Sequence, residues 1–125
     1  LTAVAVTACG SGQKPATAPP ERPSTSARIQ ILSPTPNQTT GPDVAVQVNL
    51  IGAREVQPVT GKVKPDEGHI HVALDGVVVA MAYGDTQQLK GLAPGPHSVQ
   101  VDFVAIDHVP FKNRVTAAVL FTVQK

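Results

Sequence analysis

From Arg28 onward, apolar and polar residues alternate in short runs, the period-two pattern of strands that bury one face and wet the other. Ile29 and Ile31 alternate with Arg28 and Gln30, and Val44, Val46, Val48 and Leu50 alternate with Ala45, Gln47 and Asn49. Val99, Val101 and Phe103 alternate with Ser98, Gln100 and Asp102; Val115, Ala117, Val119, Phe121 and Val123 alternate with Thr116, Ala118, Leu120 and Thr122. Together with two central apolar runs, the pattern predicts seven strands, over residues 28–32, 44–50, 69–74, 77–83, 86–90, 97–105 and 114–123. Alternation in both halves of the region predicts two sheets sharing one core, an all-β sandwich spanning residues 28–125.

Asp75-Gly76 lies between the two central runs, and Asp-Gly suits the type I′ turn, which needs positive φ at both central positions. A two-residue turn there pairs Leu74 with Val77, Val72 with Val79 and Ile70 with Met81 on the core face. The alternate pairs, Ala73 with Val78, His71 with Ala80 and His69 with Ala82, then face outward. This register places two histidines side by side on the solvent face and points Met81 into the core.

Composition narrows the class. Ten Lys+Arg against nine Asp+Glu leave a net charge of +1 and no basic run, which excludes a nucleic-acid footprint. Twelve prolines, ten glycines and no tryptophan argue against a helical bundle, and a single cysteine excludes a disulfide scaffold. Residues 1–8 are uncharged and mostly apolar, but much shorter than the ~18 to 20 residues that cross a bilayer, and read as the end of a signal peptide. Residues 9–27 are rich in Pro, Ser, Thr and Ala without apolar periodicity, and read as a disordered tether. Between them, Val6-Thr7-Ala8-Cys9 resembles the bacterial lipobox, in which a branched apolar residue and two small residues precede a cysteine that is cleaved at and lipidated. That resemblance implies diacylglycerol on Cys9 and an exported protein anchored to the cell membrane on its extracytoplasmic or periplasmic face. The two acyl chains of such a group hold a protein stably, at ~0.8 kcal/mol per buried CH₂. The plainer alternative is an unstructured N-terminus with an incidental thiol.

The stretch from Leu89 through Pro94-Gly95-Pro96-His97 to Val101 resembles the fibronectin type III and related immunoglobulin-like pattern of leucine, Pro-Gly turn, corner residue and alternating strand. The resemblance implies a seven-stranded immunoglobulin-like sandwich, with His97 standing where those families commonly place a corner tyrosine. It carries architecture, since the fold hosts many roles. Gly68-His69-Ile70-His71-Val72, Pro94-Gly95-Pro96-His97 and Asp107-His108-Val109-Pro110-Phe111 are also similar to uncharacterised exported bacterial proteins with a histidine-punctuated sandwich, a likeness that implies no activity.

All four histidines lie in the folded region. If strand 69–74 runs antiparallel beside 97–105, its start meets that neighbour's end, and His69, His71 and His108 converge at one sheet edge near Asp66, Glu67 and Asp107. Strand residues two apart have Cα atoms ~6.6 to 6.8 Å apart, which allows both imidazoles to reach one ion. Imidazole with occasional carboxylate suits Zn²⁺ or Cu²⁺ rather than Ca²⁺ or Mg²⁺, so His69, His71 and His108 form a candidate copper or zinc site, against the plainer reading of solvated strand histidines. His97 belongs to the opposite strand end and is set aside as a structural corner. A blue-copper centre is excluded because the one thiol is in the tether, and a thioether-rich Cu(I) carrier because the one methionine is predicted to face the core. No nucleophile elbow, phosphate-binding glycine loop or His-Glu-x-x-His is present, which argues against an enzyme. The connection 52–67 exceeds the usual ~4 to 6 residues and reads as an extra edge strand, a crossover or a recognition loop, while Val109-Pro110-Phe111 reads as an apolar tip or a cap on the core.

Two functional classes follow: an anchored immunoglobulin-like module that binds another envelope protein, or an anchored module that binds a transition metal. Both share the anchor. Replacing Cys9 by Ala in the precursor is expected to release the protein from the membrane fraction, and unchanged partitioning would refute lipidation.

Overall fold

The structure, a computed structural model, describes residues 21–57, 61–82 and 84–125; Cys9 and the lipobox-like run that ends at it lie outside the described residues. Among the described residues nine strands form: β1 (Arg28–Ser33), β2 (Thr39–Thr40), β3 (Val44–Ile51), β4 (Arg54–Glu55), β5 (Glu67–Leu74), β6 (Val77–Ala82), β7 (Thr86–Leu89), β8 (Gly95–Val104) and β9 (Val115–Val123). The seven predicted strands all appear, and the sequence pattern missed only β2 and β4, each of two residues. Two-residue strands are too short to show alternation. One sheet has the order β1-β3-β7; the other runs β2-β9-β8-β5-β4, with β6 also paired to β5. The architecture is thus an all-β sandwich of two sheets. Within the second sheet, β5 pairs antiparallel with β8 along one edge, while its other edge is shared by β4 at its first two residues and β6 along the rest.

The core lies between the sheets and is made by the predicted apolar faces. Val46, Ile70, Val72, Val99, Val101, Phe103 and Phe121 are all essentially inaccessible to solvent. Phe111 is buried and stacks on Phe103, with ring centroids 5.4 Å apart, so the Val109-Pro110-Phe111 segment caps the core. β4, within the long 52–67 connection, adds a short parallel edge to β5. Residues before β1 are also packed: Thr25 and Ala27 are buried, and Thr25 exchanges two 2.8 Å hydrogen bonds with the Asn113 side-chain amide.

The hairpin forms as predicted at its turn and differs beyond it. Asp75 and Gly76 have φ of 50° and 86°, and Leu74 pairs with Val77 and Ala73 with Val78. Val79 is then an extra residue, a β-bulge, so Val72 pairs with Ala80, His71 with Met81 and Ile70 with Ala82. Three consecutive valines, Val77 to Val79, offer no apolar–polar alternation to hold a register. The outcome inverts the expected placement of Met81. It lies on the outer face beside His71 and is half-exposed, while small Ala80 packs against the core.

At the other end of the sheet, His97 closes the corner. Its Nε2 lies 2.6 Å from the Ala93 carbonyl and its Nδ1 2.6 Å from Asp75 Oδ2, while Asp75 Oδ1 accepts a 2.8 Å bond from the Ser98 amide. The imidazole makes the upstream backbone bond expected of a corner residue, and also ties the β5–β6 turn to the start of β8. Both ring partners are acceptors, so the protonated ring satisfies both, and its pKa is raised by the Ala93 carbonyl first and by Asp75 second.

Strand β5 approaches the end of β8 unusually closely at Gly68. A Cβ added there meets the Val104 carbonyl oxygen at 1.9 Å and Phe103 Cε2 at 2.9 Å, and the nearer obstacle is backbone. Gly68→Ala is expected to cost at least about 3 kcal/mol, the upper range for overpacking, because the strand pair must separate. Chemical denaturation of the two proteins tests this; a loss under about 1 kcal/mol would show that the two strands part easily.

Candidate metal centre

The close β5–β8 approach brings three histidines together. β5 places His69 and His71 on its outer face, and the chain leaving β8 turns back at residues 105–109, with His108 on the turn. His69 Nε2 lies 2.8 Å and His71 Nε2 3.3 Å from the same atom, His108 Nδ1. One ring nitrogen from each residue falls within a group spanning 4.8 Å. Ligand atoms around a tetrahedral ion with ~2.0 to 2.1 Å bonds stand about 3.3 Å apart, so the three nitrogens are already near coordinating separations.

Exposure is graded across the group. His69 is fully buried, His71 intermediate and His108 exposed. The burial of His69 departs from the outward, wet placement that strand parity predicts. The ring does project from the outer face of the sheet, but that face is covered at this end, where Val104, paired with His69, and Ile106 are also buried. Period-two alternation gives the face of a sheet to which a side chain points, and cannot say what later turn covers it.

The turn that carries His108 is held from two directions. Within it, the His108 amide donates to the Ala105 carbonyl at 2.9 Å and the Ala105 amide to the Val109 carbonyl at 3.1 Å. His108 sits at φ 65°, a left-handed conformation that costs an L-residue about 1 to 2 kcal/mol. From outside, Arg22 grips the turn: its Nη1 and Nη2 meet the two Asp107 carboxylate oxygens at 2.8 and 3.0 Å, and it also donates to the carbonyls of Pro110 and Val109. This bidentate bond raises the Arg22 pKa and holds the Asp107 carboxyl below its ordinary value. Arg22 lies in the segment read from composition as tether, and neither its spacing nor its neighbours mark it; only the folded chain reveals the contact.

Of the acids expected nearby, Asp107 is engaged with Arg22, and Glu67 is paired with Arg54 and lies 3.9 Å from Lys64. Asp66 and Glu67 do not join the ligand group among the described residues. No carboxylate thus joins the three imidazoles, and their electrostatics follow. Burial lowers the His69 pKa to about 4, aided by repulsion from His108 and His71 and opposed by Asp107. His71 is lowered for the same leading reason, burial, then by His108. Neutral rings keep a lone pair free for a metal ion at neutral pH. His97, set aside in the sequence reading, stands apart from this group at the β8 start, bound to Asp75 and Ala93.

No protein-family model matches the chain, and no curated protein matches it. Among solved structures it is similar to the fibronectin(III)-like modules of Clostridium thermocellum CbhA, with 15% identity and a TM-score of 0.52 over 77% of this chain and 94% of that one. At that identity the likeness concerns the fold alone.

Two opposing pH effects follow from the histidines. His69 and His71 titrate lower in the folded than in the unfolded chain, so their contribution is complete above about pH 6.5 and is lost as pH falls toward about 4. His97 titrates higher when folded, so its contribution is complete below about pH 6.5 and is lost as pH rises through its raised value. Thermal melting followed by circular dichroism is expected to show the acid-side loss shrink in His69→Gln and the alkaline-side loss shrink in His97→Gln. The same pH profile in all three proteins would contradict these assignments.

Proposed function

We propose that this chain is an exported, membrane-tethered module that binds a transition-metal ion, copper or zinc, through His69, His71 and His108. The observation that carries the reading is the meeting of two Nε2 atoms of one strand, β5, at the Nδ1 of a turn residue 37 or more positions away, at 2.8 and 3.3 Å. Imidazole nitrogen is the ligand type for these ions, and the group leads from a buried ring to an exposed one, which leaves a route for the ion from solvent. The Arg22 clamp supports the same reading, because a turn that carries a ligand must be held for the ligand to stay aimed. Tethering rests on the lipobox resemblance at Val6 to Cys9, and the role is one of binding rather than catalysis, in keeping with the absence of any recognised catalytic motif.

A second reading, an interaction module for another envelope protein, is favoured by one observation. Edge strand β6 leaves Val77, Val78, Val79 and Met81 about half-exposed or more, an apolar strip suited to pairing with a partner strand. The two readings share a scaffold and differ in their dependence on metal.

Isothermal titration with Zn²⁺ and with Cu²⁺ separates them. Binding tighter than millimolar is expected, weakened at least about tenfold by His108→Ala or His71→Ala, neither of which empties a fully buried site. Metal at 100 times its Kd is expected to stabilise the fold by about 2.7 kcal/mol, or roughly 10 to 20 °C for a domain of this size. No measurable heat, or binding indifferent to both substitutions, would reject the metal reading and leave the interaction module.

A further inference from the structure

We propose that Met81 is a thioether ligand to the three-histidine centre, and that it makes the centre select copper over zinc and hold Cu(I) as well as Cu(II). This rests on the metal reading above and goes beyond it in naming a fourth ligand and the metal.

The bulge at Val79 is what brings Met81 into play. It sets Met81 directly opposite His71 on the neighbouring strand, and directly opposed residues share a face with Cβ atoms ~4.5 to 5.5 Å apart. His71 therefore stands between two cross-strand neighbours on the outer face, Asp102 from β8 and Met81 from β6. His108 reaches the group from the turn that follows β8, on the side of β5 opposite to β6. Met81 is half-exposed, and its three rotatable bonds let the sulfur swing toward an ion beside His71.

The nearby carboxylates are engaged elsewhere. Asp102 accepts from the Gln100 amide at 3.1 Å and lies 3.5 Å from Arg114, and Asp107 is gripped by Arg22. Neither joins the ligand group with the histidines. A thioether is a soft, uncharged donor: it favours Cu(I) and does little for Zn²⁺, which takes thiolate, imidazole or carboxylate. Three imidazoles accept Cu(II) or Zn²⁺, and adding sulfur to that set strengthens Cu(I) selectively.

The test compares wild type with Met81→Leu, a surface swap of similar volume, both carrying Cys9→Ser so that the chain's one thiol does not compete for copper. Cu(I) affinity is measured anaerobically by competition with a chromophoric Cu(I) chelator, Zn²⁺ affinity by titration, and the copper environment by X-ray absorption. Met81→Leu is expected to weaken Cu(I) at least about tenfold, to leave Zn²⁺ within about twofold, and to remove a sulfur scatterer present in wild type. Equal Cu(I) affinity in the two proteins, or equal losses for both metals, overturns the role of Met81 while leaving the histidine centre standing. Wild type that binds neither metal overturns the histidine reading as well.

Discussion

The contact between β5 and the end of β8 at Gly68 governs the rest of the structure. With the Val104 carbonyl oxygen where a side chain would begin, glycine lets the two strands lie together up to the last residues of β8. The next residue, His69, is then opposite Val104, and the chain emerging from β8 has only a tight turn in which to reverse. That turn delivers His108 onto the rings of His69 and His71. A strand pair that opened earlier would leave His108 away from the two rings that β5 carries.

The same residue type serves opposite ends of the sheet because its surroundings differ. His97 lies between a carboxylate and a carbonyl, two acceptors that favour the charged ring, and it acts as a clasp between the β5–β6 turn and the start of β8. His69 lies buried among other imidazoles, which disfavour the charged ring and leave it a neutral donor of electron pairs. Charge near the centre is removed from direct contact: Arg22 neutralises Asp107, and Arg54 and Lys64 neutralise Glu67. Arg22 also links the segment before β1 to the turn carrying His108, so the entry to the sandwich and the histidine cluster share one clamp.

Much of this was legible in the chain. The alternating runs identified β1, β3, β8 and β9, the apolar runs beside Asp75-Gly76 identified β5, β6 and the hairpin turn, and β7 was placed by the spacing between them. The convergence of His69, His71 and His108 followed from pairing 69–74 with 97–105, a step of topology rather than of local pattern. The side-chain placement past the turn was not legible. Val77, Val78 and Val79 are equivalent in polarity, so the bulge that puts Ala80 in the core and Met81 beside His71 was decided by packing. Arg22 carried no local mark either, since its partners lie 85 or more residues away.

By itself, then, the order of residues determined an all-β sandwich, its main strands, its tightest turn and the histidines available to one edge, because these depend on period and on single-residue backbone preference. Tertiary structure decided that His69 is buried, that Met81 faces outward, that His108 adopts a left-handed turn and that Arg22 secures it. Each of these depends on how closely two backbones approach and on what a distant segment covers. Such contacts exist only once the sheets have closed on each other, and no stretch of neighbouring residues encodes them.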